Sequence, residues 1–143
     1  MNQEDIKSIL EIILNKLPRI NFNWRLEGSA NLLIQGIDVS VKDLDLTTDD
    51  EGINIFRSSL KNFQITDVYS EKIKGPSIIY NINGFEVEVN SYGDRKWDLF
   101  DKTKFIFWQG LEIPILPLEH AKKFYELIDR TDKVELISRY LKH

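Results

Sequence analysis

No cysteine occurs among the 143 residues, which excludes a disulfide framework, a thiolate metal site and a cysteine nucleophile. No apolar run approaches the roughly 18 residues that a membrane span needs. The opening MNQEDIKS is acidic and lacks the basic and apolar regions of a secretory signal. A basic excess is missing as well: 19 Lys and Arg face 23 Asp and Glu, for a net charge of −4. A domain that grips nucleic acid through nonspecific phosphate contacts carries the opposite balance. Internal repeats, low-complexity stretches and linkers are absent too. These absences point to one cytoplasmic domain spanning residues 1–143, with no membrane partner.

What is present suits a packed core. The chain is 42% hydrophobic and 29% charged, with eight Phe, five Tyr and three Trp. Trp24, Trp97 and Trp108 read as core or edge packing rather than base-stacking platforms. His120 and His143 read as surface residues, because no ligand-spaced partner accompanies either. Lys72, Lys74, Arg95, Lys96, Lys102 and Lys104 are close enough in sequence to form a basic patch, although a solvated mixed surface is the plainer reading.

Hydrophobic spacing predicts a helix over 3–17, with Asn2 as its cap and Pro18 ending it. An extended piece from Phe22 to Glu27 leads to Gly28-Ser29. A brief helix over 30–35, closed by Gly36, and a strand over 41–47 follow. Thr48 or Asp49 can cap a third helix, with Ile53, Phe56, Leu60 and Phe63 on its apolar stripe. Asn83-Gly84 between SIIYNI and FEVEV predicts a two-residue hairpin. Its register pairs Ile82 with Phe85, Tyr80 with Val87 and Ile78 with Val89 on one apolar face. Glu86 and Glu88 then share the other face, which is expected to stay open while helices cover the apolar one. Two short strands flank Gln109-Gly110. A helix from Pro117 follows, then a last helix capped by Thr131 with Val134, Ile137, Tyr140 and Leu141 inward. The expected class is α/β (α+β), a mixed sheet flanked by helices.

The stretch WRLEGSANLLIQGIDVSVKDLDLTT, residues 24–48, carries the chemistry. Gly28 lets backbone approach a bulky anion, and Ser29 adds a hydroxyl donor. In an extended segment Asp43 and Asp45 project to one face, where paired carboxylates can hold a hard divalent cation. A metal-dependent site that handles phosphate is the reading. Each motif alone is weak: Asp-x-Asp and Glu-x-Glu are commonly the wet edge or wet face of a strand.

Gly28-Ser29, thirteen residues, Asp43-Leu44-Asp45, then a strand-borne acid in FEVEV resembles the nucleotidyltransferase superfamily related to DNA polymerase beta. The tail LPLEHAKKFYELIDRTDKVELISRYL is similar to the C-terminal helices of its small members, many of which carry a segment like Arg130, Asp132 and Lys133. The chain departs from the pattern at Lys42, where the family often has serine or threonine. The resemblance implies the nucleotidyltransferase fold with C-terminal helices. It implies that Asp43, Asp45 and Glu88, with Glu86 as second choice, are the catalytic and metal-holding acids for Mg²⁺ or Mn²⁺. Gly28 and Ser29 would hold the β- and γ-phosphates. Lys42, where the chain departs from the pattern, is a further candidate nucleotide contact outside what the resemblance implies, and Arg130, Lys133 and the loop 92–96 are an even choice between nucleotide contact and plain helix or loop charge. The implied activity moves a nucleoside monophosphate from a nucleoside triphosphate such as ATP to an acceptor hydroxyl on a small molecule, protein or RNA. The alternative is a nucleotide-binding or toxin–antitoxin-type module whose partner is a second copy or a small helical protein.

Overall fold

The computed structural model describes residues 1–92 and 99–142. Arg95, Lys96, Trp97, most of the 92–96 loop and His143 therefore lie outside the described residues. Among the described residues the strands are β1 (Trp24–Glu27), β2 (Leu44–Thr48), β3 (Gln64–Ser70), β4 (Gly75–Ile82), β5 (Phe85–Ser91), β6 (Lys104–Trp108) and β7 (Leu111–Ile115). They form one mixed sheet ordered β3-β4-β5-β2-β1-β7-β6. The helices are α1 (Gln3–Lys16), α2 (Gly28–Ile34), α3 (Asp50–Ser59), α4 (Leu118–Leu127) and α5 (Thr131–Leu141). Neighbours β2 and β5, and β1 and β7, run parallel, and the other pairs are antiparallel. The mixed sheet with flanking helices is the expected class. Among the described residues no helix is long and apolar enough to cross a membrane.

Local chemistry accounts for the elements. Asn2 and Asp5 cap α1 reciprocally, each side chain taking the other's backbone N–H. Asp49 caps α3 by accepting from Gly52 N–H at 2.8 Å. The hairpin after β4 has the predicted register, with Ile82 opposite Phe85, Tyr80 opposite Val87 and Ile78 opposite Val89. Asn83 and Gly84 take φ of 56° and 85°, the left-handed pair that a two-residue turn of this hand requires. One face of the sheet, with Leu26, Leu44, Leu46, Ile78, Tyr80, Val87 and Val89, packs with Ile6, Ile9, Leu10 and Ile13 of α1 and with Ile53 and Phe56 of α3. Trp24 joins this core, edge-on to Phe56 at 5.9 Å, and Trp108 packs against its rim.

Several expectations need correction. Strand β2 starts at Leu44, so Asp43 stands on the exposed bend before the strand rather than within it. Helix α2 begins at Gly28, so the Gly-Ser pair forms its first turn. Thr131 opens α5 and Arg130 occupies the cap position without a side-chain cap bond. Of the residues expected inward on α5, Ile137 is buried while Tyr140 and Leu141 are 42% and 51% exposed. The last turn meets the body through a polar contact instead, the Tyr140 hydroxyl donating to Gln35 O at 3.4 Å. Nor is the carboxylate face simply open. A second apolar cluster, built on Leu32, Ile37, Leu116, Ala121, Phe124, Tyr125 and Ile137, holds α4 and α5 beside it. Finally, the lysines do not merge into one patch. Lys72 and Lys74 sit in the β3–β4 turn at one edge of the sheet, and Lys102 and Lys104 lie at the other.

Candidate active site

Sheet register assembles the acids. Asp45 of β2 lies opposite Glu27 of β1 and beside Glu88 of β5. Adjacent strands run about 4.8 Å apart, so these three carboxyl-bearing residues form one row across the sheet. The row lines a cleft of about 570 Å³, together with Gly28, Ser29 and Asp43, and α4 and α5 supply the facing wall through Tyr125, Arg130 and Lys133. Of the two acids in FEVEV, Glu88 lines this cleft, where its Oε1 accepts from Ser77 Oγ at 3.2 Å. Glu86 is exposed and pairs across the hairpin with Asn81, outside the cleft lining. Lys42 is exposed and is likewise not among the lining residues, whereas Lys72 of the β3–β4 turn is. His120 stays outside as well, next to Glu119 at 3.4 Å.

The nucleotide-contact candidates converge from two distant segments. Gly28 takes φ of 69°, and a Cβ built on it would stand 2.5 Å from Asp45 Oδ2. Glycine is thus required both by the left-handed backbone and by the closeness of the carboxylate. Asn31 and Gln35 donate to Leu116 O at 3.1 and 2.9 Å, tying α2 to the end of β7. Across the cleft Lys133 Nζ donates to Ser29 Oγ at 2.6 Å. Asp129, with φ of 59°, reverses the chain between α4 and α5, and Arg130 N–H returns to Tyr125 O at 2.9 Å. This turn is what brings Arg130 and Lys133 to the mouth, with Arg130 held by Asp132 through two 3.2 Å bonds. Gly28→Ala is expected to lose at least about 1–2 kcal/mol from the left-handed backbone alone. It should also displace Asp45, which urea denaturation and a crystal structure of the variant would show.

The charges are strained by their closeness. Burial, then repulsion from Asp43, Glu88, Glu27 and Glu86, pushes the Asp45 carboxyl up to about 7. Burial lowers the Lys133 ammonium, and neighbouring Arg130 adds to the effect. Among the described residues no three acidic or histidine side chains converge as a closed metal cage would. Mg²⁺, however, keeps several waters and takes one or two protein carboxylates plus substrate phosphates. Asp43 and Asp45 would be the pair to take an ion of that kind, whose charge would relieve the repulsion on Asp45.

Beneath the row is a feature that sequence reading missed. Arg25 is fully buried and donates from Nε to Glu27 Oε2 at 2.7 Å. Its guanidinium stacks over Phe100 and Phe124, 5.0 and 5.5 Å from the ring centres. Burial raises the Glu27 carboxyl and Arg25 pulls it back. The signal available in WRLEGS was a pair of opposite charges two apart on a strand that runs straight into the Gly-Ser turn.

No family model and no curated protein matches the chain. Among solved structures it is similar to a Thermotoga maritima protein described as a "putative nucleotidyltransferase". The TM-score is 0.76 and the identity 25%, over 99% of this chain and 96% of that one. With that likeness over the whole length, the mixed sheet and its helices make the chain a protein of the nucleotidyltransferase fold.

Proposed function

We propose that this protein is a metal-dependent nucleotidyltransferase that moves a nucleoside monophosphate from a nucleoside triphosphate to an acceptor hydroxyl. The observation that carries the reading is the register that sets Asp45 between Glu27 and Glu88, beside the Gly28-Ser29 turn and facing Lys133 across one cleft. In this reading the acceptor oxygen bonds to the α-phosphorus and the bond from that phosphorus to the bridging oxygen breaks. Pyrophosphate leaves, and the acceptor proton passes to Glu88. Gly28, Ser29 and Lys133 hold the β- and γ-phosphates, and Arg130 adds a second cation at the mouth. Asp43 and Asp45, with Glu88, would hold Mg²⁺ or Mn²⁺, which compensates the charge of the phosphate oxygens. The closeness of Gly28 to Asp45 aligns phosphate and acids without a flexible intermediary.

The test is incubation with α-labelled nucleoside triphosphates, Mg²⁺ or Mn²⁺, and cell extract as acceptor source. Labelled product accompanied by pyrophosphate supports the reading. A second reading, a nucleotide-binding module that docks a partner, draws on Phe105 and Phe107, which are 63% and 79% exposed on the edge strand β6. Triphosphate binding without turnover would favour it.

A further inference from the structure

From the wall opposite the acids, we infer that Tyr125 is a phosphate-binding residue of this cleft, its hydroxyl donating to a non-bridging oxygen of a bound triphosphate. The inference rests on the proposed nucleotide site and names a contact within it.

Tyr125 is only 4% exposed, yet it lines the cleft, and its Oη has no hydrogen-bond partner among the described residues. A buried hydroxyl without a partner is costly, and native proteins leave few of them. The ring is well accounted for: it packs edge-on against Phe124 at 5.8 Å and belongs to the apolar cluster under α4. Phenylalanine would satisfy that packing, so the hydroxyl is the part that lacks a structural reason. The groups around it make a donor of it. Burial holds the phenol protonated well above its ordinary range, and the Glu27 and Asp45 carboxylates act in the same direction. The Gly28 amide faces the phenolic oxygen without meeting hydrogen-bond geometry, so the hydroxyl proton is left to give. Arg130 is the nearby cation, and Gly28-Ser29 is the anion-handling turn across from it. A neutral donor beside Arg130 and the Gly28 turn suits an oxygen that carries negative charge. Charge-assisted bonds of this kind are the strong class.

The experiment compares wild type with Tyr125→Phe by calorimetric titration of magnesium tripolyphosphate, a probe without base or sugar, and by thermal denaturation without ligand. The expected result is binding weakened about ten- to hundred-fold, with a melting temperature equal to or above that of wild type. Equal affinity in the two proteins overturns the inference and leaves the proposed function standing. A melting temperature lowered by several degrees also overturns it, because the hydroxyl would then have a structural partner. If wild type itself does not bind the probe, the nucleotide reading falls together with the inference.

Discussion

Asp45→Asn is expected to abolish nucleotidyl transfer and, in metal-free protein, to raise stability above about pH 7. The Asp45 carboxyl is pushed from 3.8 to about 7 by burial and by Asp43, Glu88, Glu27 and Glu86. Below about pH 4 the group is protonated folded and unfolded alike, and it contributes nothing to the pH dependence. As pH rises from there to about 7 the unfolded chain ionises while the folded one keeps its proton, so stability falls. Above about 7 the deficit stays constant. The full shift corresponds to about 4 kcal/mol. One side of the carboxylate is open to the cleft, so an amplitude of about 2–4 kcal/mol is expected. Asparagine cannot ionise, so its advantage over wild type should grow between pH 4 and 7 in urea denaturation series. Added Mg²⁺ should restore wild type and leave the variant unchanged. Parallel pH profiles for the two proteins would contradict the electrostatic account. In transfer assays the variant should lose at least about 10³-fold, since acids that act as a unit fail together.

Arg25→Met should be the most destabilising of the single changes, at about 3–5 kcal/mol. It removes the partner of Glu27 and leaves that carboxyl buried 2.7 Å from where a guanidinium had been. Methionine fills part of the volume between Phe100 and Phe124, so the loss reads charge more than cavity. Against a total stability of about 5–15 kcal/mol for a typical protein this is a large fraction. Neutralising the stranded group in Arg25→Met/Glu27→Gln should recover more than half of the loss. Urea midpoints for the four proteins of this double-mutant cycle provide the check. A single-variant loss under about 1 kcal/mol, with no recovery in the double variant, would show that the pair is not what holds β1 under the site.

Much of the fold could be read locally. The alternation of SIIYNI and FEVEV around Asn83-Gly84 determined a register that the structure reproduces pair by pair. The caps of α1 and α3 follow from Asn2 and Asp49 in the same way. What escaped reading depends on contacts far apart in sequence. The resemblance already put Glu88 before Glu86, but the place of Glu88 beside Asp45 comes from parallel pairing of β2 with β5, which no local pattern encodes. Arg25 and Glu27 resemble the wet face of a short strand until Phe100 and α4 cover them. Tyr125 fits the apolar stripe of α4, and its place in the cleft and its unpartnered hydroxyl emerge only once the chain is folded. Asp43 left the strand because pairing of β2 with β5 begins at Leu44.

The central claim is that the acid row and the Gly28-Ser29 turn form one nucleotidyl-transfer site. It is tested most directly by comparing wild type with Asp43→Asn/Asp45→Asn in the labelled-triphosphate assay with Mg²⁺ or Mn²⁺. The account predicts acceptor-linked label and pyrophosphate from wild type and neither from the variant. Equal labelling by the two proteins would contradict it.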